Sequence, residues 1–98
     1  MKYSEIKFVE PMITELRSLG GFSVINKNDK YISIRVRNVS RDKCNEYYQK
    51  YGLNRNFVCE SYQDFDKVIQ IGEGESVECC MSYNTIRDRL AISFTLNA

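Results

Sequence analysis

The chain has no histidine, a single proline and no apolar run of 18 residues. Each absence removes a class of function. Without an imidazole, a cysteine nucleophile lacks its usual activating base and a zinc site lacks its usual nitrogen ligand. The four cysteines stand at 44, 59, 79 and 80, so neither the paired C-x2-C of structural zinc nor the C-x-x-C of a redox catalyst is present. No metal and no other cofactor is expected. A membrane-crossing apolar helix is excluded by length, and the opening "MKYSEIKFVEP" lacks the basic, apolar and small-residue sections of a secretory signal. Such a start has two readings: a protein that begins at Met1, or one from which a membrane-directing segment has been removed. An excess of one charge is also missing, because 14 basic against 13 acidic residues leave +1. That is too little to steer nucleic acid or an anionic membrane through a global field, so nucleic acid is not an expected partner.

What is present points to a folded core. A chain of 98 residues makes one domain, expected over 1–98, and buries only about 60 to 65% of the surface its unfolded form exposes. Seven tyrosines, five phenylalanines and an apolar fraction of 43% exceed what a disordered chain carries.

Periodicity places the elements. In "FVEPMITELRSLGG", Phe8, Met12, Ile13, Leu16 and Leu19 fall at helical spacing and two glycines follow. The spacing predicts a helix starting near Glu10 or Pro11, where proline costs no hydrogen bond, with a kinked extension over residues 3–9. Two extended runs then flank the polar turn 26–30, and Ile32, Ile34 and Val36 alternate with Ser33, Arg35 and Arg37. That alternation turns one face to a core and sets Arg35 and Arg37 on the other. Ser40 can cap a second helix through "RDKCNEYYQKYG", closed by Gly52, with Cys44, Tyr47, Tyr48 and Tyr51 on one stripe. Strands are expected around Phe57 to Tyr62 and Lys67 to Ile71, then a turn at "GEGES". Leu90, Ile92, Phe94 and Leu96 alternate in a final strand. The expected fold is α+β: an N-terminal helix and a short second helix packed on an antiparallel sheet, stapled by disulfides.

Chemistry offers little beyond the thiols. Asp64 with Asp66, and Glu73 with Glu75, read as solvated charges in turn-like segments, and "GEGES" lacks the lysine-bearing ending of a phosphate loop. An enzyme is not expected, unless Glu60, Asp64 and Asp66 converge in three dimensions. A bond between the neighbours Cys79 and Cys80 would be strained. Two structural sets remain: Cys44–Cys79 with Cys59–Cys80, or Cys44–Cys80 with Cys59–Cys79. A single bridge with two free thiols is the variant of either. Neighbours on an extended segment face opposite ways, so Cys79 and Cys80 would reach different partners. Such bridges would imply an oxidising compartment.

The order of three stretches, "ELRSLGGFSV", "RNVSRDKCNEYY" and "VECCMSYNTIRDRLAISFTLN", resembles the soluble domain of type IV pilins, in particular the IVb-like and plasmid-encoded branch. Asn38-Val39-Ser40 with Cys44 matches the turn and helix-borne cysteine of that family. Cys79 or Cys80, with Asn84, Ile86, Ile92 and Phe94, matches its C-terminal part. Cys59 is extra, and "RDR" separates Asn84-Thr85-Ile86 from the last strand. The resemblance implies an exported subunit of an extracellular fibre, at the pilus or cell surface, acting in assembly and adhesion. Its membrane contact would run only through a removed N-terminal helix, Cys44 would be bonded near the C-terminus, and residues 44–80 would face outward. Its partners would be other pilin subunits or a host surface. Candidate interface residues are Arg35, Arg37, Tyr47, Tyr48, Tyr51 and Tyr62. At helix spacing the three helix-borne tyrosines are more often core or rim, and Arg35 and Arg37, with Arg41 and Lys43, offer a patch for an anionic surface but read first as a solvated sheet face. The alternative is a small cytoplasmic binding protein, such as a phage or mobile-element inhibitor of a host enzyme, with reduced, buried cysteines.

Overall fold

A computed structural model describes residues 6–97, apart from the side chains of Phe57 and Val58. Its elements run α1 (Val9–Leu19), β1 (Gly21–Lys27), β2 (Tyr31–Arg37), α2 (Arg41–Lys50), β3 (Asn54–Cys59), β4 (Tyr62–Gly72), β5 (Glu75–Asn84) and β6 (Arg89–Asn97). The six strands form one antiparallel sheet in the order β1-β2-β6-β5-β4-β3. Both helices lie on the same face of it. The α+β expectation holds at this level.

Alternation in the central strands decides which residues meet the helices. Ile34, Ile92, Met81 and Phe65 form one register row across four strands, and Val36, Leu90, Tyr83 and Gln63 the next. All eight are buried. From α1 come Val9, Met12 and Leu16, and from α2 Cys44 and Tyr47. Burying a large apolar side chain contributes about 1.5 to 3 kcal/mol, so these two rows against the helices supply most of the drive to fold.

Local chemistry fixes the helix ends. Ser40 Oγ accepts the Lys43 amide at 3.2 Å, the expected cap of α2, and Gly52 closes that helix at φ 64°. Only glycine adopts that angle without steric cost. Pro11 occupies the first turn of α1 as expected. The extension back to residue 3 falls partly outside the described residues, and Ile6 to Phe8 make a turn in which the Val9 amide donates to the Ile6 carbonyl.

Two expectations need correction. No single strand spans 57–62: the chain reverses at Glu60 and Ser61, dividing that run between β3 and β4. The reversal is held from outside, since Thr85 Oγ1 donates to the Glu60 carbonyl and the Thr85 amide to the Ser61 carbonyl. Asp64 and Asp66 consequently lie within β4 and not in a turn. The two double-disulfide sets are the second, because none of the four cysteines is bonded and the register separates the partners that each set requires. Cys79 is buried beneath the helices while Cys80 is exposed on the opposite face, so Cys80 and Cys44 are on different sides of the sheet. Cys59 sits opposite Tyr62 and Cys80 opposite Asp66. Four residues along the strand and two strands across amount to about 16 Å, well past the ~7 Å a disulfide spans. The same register keeps Cys59 from Cys79, so neither two-bond set can close.

Candidate functional site

The face of the sheet turned away from the helices carries no covering element among the described residues. Every described side chain on it is exposed or half-buried. Register sets its layout. One row reads Ser23, Arg35, Ala91, Ser82, Asp64 and Asn56 across all six strands. The next reads Ser33, Ser93, Cys80 and Asp66, and the one after it Tyr31, Thr95, Glu78 and Val68. Small side chains therefore run down the middle strands, with arginines on the β2 side and carboxylates on the β4 side.

The small centre makes a shallow trough. One depression of about 180 Å³ lies among Arg35, Tyr62, Ser82, Asn84, Arg89 and Ala91. A second of about 180 Å³ is bounded by Tyr31, Ser33, Cys80, Ser82, Ala91, Ile92 and Ser93. They share Ser82 and Ala91, so they form one continuous hollow. Larger concavities, of about 410 and 650 Å³, follow the flanks of α1. The second of these is a broad surface hollow already bridged by the ion pair between Lys50 Nζ and Glu15 Oε1 at 3.1 Å.

The acidic side is held in place by its own hydrogen bonds. Ser82 Oγ donates to Asp64 Oδ1 at 2.9 Å, and Asn56 Nδ2 to Asp66 Oδ2 at 2.8 Å. The Cys80 thiol donates to Glu78 Oε1 at 3.2 Å. Partial burial, then that bond and the negative charge of Glu78, Asp66 and Asp64, push Cys80 up to about 11. A thiol so placed is almost wholly protonated at neutral pH and is a poor nucleophile. Burial likewise pushes Cys44 and Cys79 up to about 12. Cys59 alone moves the other way, because the Ser61 hydroxyl and backbone amide favour its thiolate, but it is exposed and has no neighbouring base. Among the described residues no three Cys, Asp or Glu side chains gather as metal ligands would.

The six residues expected at an interface separate. Arg35, Arg37 and Tyr62 stand on the uncovered face, with Tyr62 40% exposed. Tyr47 is 1% exposed and donates from its hydroxyl to the Met12 carbonyl at 3.1 Å, joining the two helices. It belongs to the core. Tyr48 is half-buried with its ring centroid 4.6 Å from that of Phe65, and Tyr51 donates to the Pro11 carbonyl at 3.3 Å. These two line the helix side, away from the face that holds the arginines. Sequence reasoning missed Ser33, Ser82, Ala91 and Ser93, whose shared property is small size at outward positions. The alternation of β2 and β6 already held that signal.

No protein-family model, curated protein or solved structure matches the chain. Among the described residues no helix is long and apolar enough to cross a membrane.

Proposed function

We propose that this chain is a small protein-binding domain that makes its contact through the uncovered face of the sheet and carries out no reaction of its own. The observation that carries this reading is the hollow at Ser82 and Ala91, walled by Arg35, Arg89 and Tyr62 and faced by the carboxylates of β4. Shallow, polar and amphoteric, it suits a protein surface, whereas small-molecule sites are usually deeper and mostly apolar. No thiol, carboxylate pair or other group within it is set up as a nucleophile with a base.

Of the two expected settings, the small binding protein of a reducing compartment is the better supported. Cys44 and Cys79 are buried as packing residues, and Cys59 and Cys80 lie far apart on the outside. Buried free thiols behave as small hydrophobes, and the cytosol keeps such thiols reduced. A pilin-like fibre subunit shares the contact role but would draw on a bridge from Cys44 to the Cys79–Cys80 pair. The test is acid quenching of intact cells and alkylation under denaturing conditions, followed by mass measurement without and with reduction. Four alkyl groups per chain before reduction is the expected result. A bridge joining Cys44 or Cys59 to Cys79 or Cys80 would overturn the reducing-compartment reading and restore the exported one.

A further inference from the structure

We infer that the partner fitting the uncovered face is a second copy of this chain, docked face to face about a two-fold axis running parallel to the strands. The inference rests on the proposed use of this face for protein contact, and it names the partner. In such a dimer the rotation reverses strand order and keeps position along the strands, so β2 of one copy lies over β4 of the other and β6 over β5. Arg35 and Asp64 share a register row, and the rotation therefore sets Arg35 of each copy above Asp64 of the other.

The same operation makes two more matches that were not used to choose it. Tyr31 and Val68 share a row four residues further along. The tyrosine ring of one copy thus covers Val68 of the other, which at 57% exposed is among the most exposed large apolar side chains of the chain. In the other direction, Arg37 lies two residues beyond Arg35 and Tyr62 two residues before Asp64, so the guanidinium comes over an exposed ring, a favourable cation–π geometry. A two-fold axis across the strands would instead lay the arginine-bearing β2 on β2 and the acidic β4 on β4, and through the Arg35 row it would stack Arg35 on Arg35 and Asp64 on Asp64. Like charges so juxtaposed cost several kcal/mol. Charge alone thus selects the axis.

Shape and size agree. The central serines and alanine let two sheets approach to the usual face-to-face spacing of about 10 Å. Six strands about 4.8 Å apart and about seven residues long offer roughly 700 Å² of face, close to the ~800 Å² per partner of a stable interface. A net charge of +1 sets up little mutual repulsion.

Sedimentation velocity from micromolar to millimolar protein, together with a charge swap, tests this. Wild type is expected to dimerise, and added salt to weaken the dimer. Arg35→Asp and Asp64→Lys should each weaken self-association at least about tenfold, since each places two like-charge contacts in the interface, while circular dichroism stays native. Mixing the two variants should restore a heterodimer, because both contacts then become attractive, an outcome misfolding cannot imitate. Independently, Cys80 lies near the axis, so its alkylation should slow at least about tenfold as wild-type protein becomes dimeric, while Cys59 at the end of β3 keeps its rate. A monomer throughout the range, single variants that still pair, or a mixture that fails to associate would each overturn the inference. The thiol accounting above does not depend on association state, so a monomer with four free thiols sinks this dimer and leaves the binding reading standing.

Discussion

Replacing Tyr83 by phenylalanine removes one oxygen atom from the best-tethered ring of the fold. Tyr83 is fully buried, and its hydroxyl donates to the Val39 carbonyl at 2.6 Å and lies 3.2 Å from Asp88 Oδ1. The Val39 amide in turn donates to the Asp88 carbonyl at 2.8 Å. One hydroxyl thus ties the β2–α2 connection to the β5–β6 turn, where Asp88 adopts φ 49°. In the variant the exposed Asp88 carboxylate recovers water, but the carbonyl of buried Val39 loses its partner. An orphaned buried acceptor costs about 1 to 3 kcal/mol, and the ring itself leaves no cavity, so a loss near 2 kcal/mol is expected. For a domain of this size that lowers Tm by about 8 to 16 °C. Urea denaturation followed by circular dichroism gives the free energy directly, with the m-value unchanged. Tyr48→Phe is the control, since its hydroxyl accepts only an exposed 3.5 Å contact from Gln49 Nε2, and it should cost under about 1 kcal/mol. A Tyr83→Phe loss no larger than that of Tyr48→Phe would refute the reasoning.

Three further outcomes follow from the same geometry. Burial, reinforced by Asp88, pushes Tyr83 up to about 12, and burial with Glu15 does the same for Tyr51. Because the folded state favours the protonated phenols, that stability is whole below the unfolded value near pH 10 and drains away as pH rises toward 12. Absorbance at the tyrosinate band should therefore rise for these rings only as the far-ultraviolet circular dichroism collapses. A disulfide reagent at pH 8 should modify two thiols of the native protein and four of the unfolded one. Cys59 should react before Cys80, because a thiol near 11 is only about 0.1% ionised at that pH. Reaction of Cys44 or Cys79 without unfolding would count against their burial. Gly20→Ala would drive a methyl group into the Arg37 carbonyl, and with backbone on the far side nothing flexible can yield. A loss of about 1 to 3 kcal/mol is expected in the same denaturation assay, and a neutral result would mean that α1 shifts freely against β2.

Much of this fold was open to reading because its cues are local. Alternation over Ile32, Ile34 and Val36 marks β2, Ser40 marks the start of α2, and Gly52 its end. The β3–β4 reversal was not, because Glu60 and Ser61 include no glycine, proline, asparagine or aspartate to mark a turn and are held by Thr85, some twenty-five residues later. The uncovered face was half legible: Arg35 and Arg37 follow from strand period. Their relation to Asp64 and Tyr62 depends on the register of β6 and β5 between them, which no local pattern contains. The stripe of Cys44, Tyr47, Tyr48 and Tyr51 shows the opposite limit. Periodicity says such residues share a face, but whether that face meets a core or a partner depends on what packs over it.

The sheet order has a consequence for how the molecule is made. β6 lies between β2 and β5, so within the sheet the β1–β2 hairpin and the β3–β4–β5 meander are joined only through β6. During synthesis the earlier segments emerge first, and each can form its local pairs, but the inner edges of β2 and β5 then stand open with Ile34 and Met81 uncovered beside them. Completion is a late insertion that closes both edges at once. The wait before it is the interval in which pairing with another chain competes, and a chain lacking β6 should keep two sheet fragments held together only by helix contacts such as Tyr47 to Met12, rather than a slightly weakened domain.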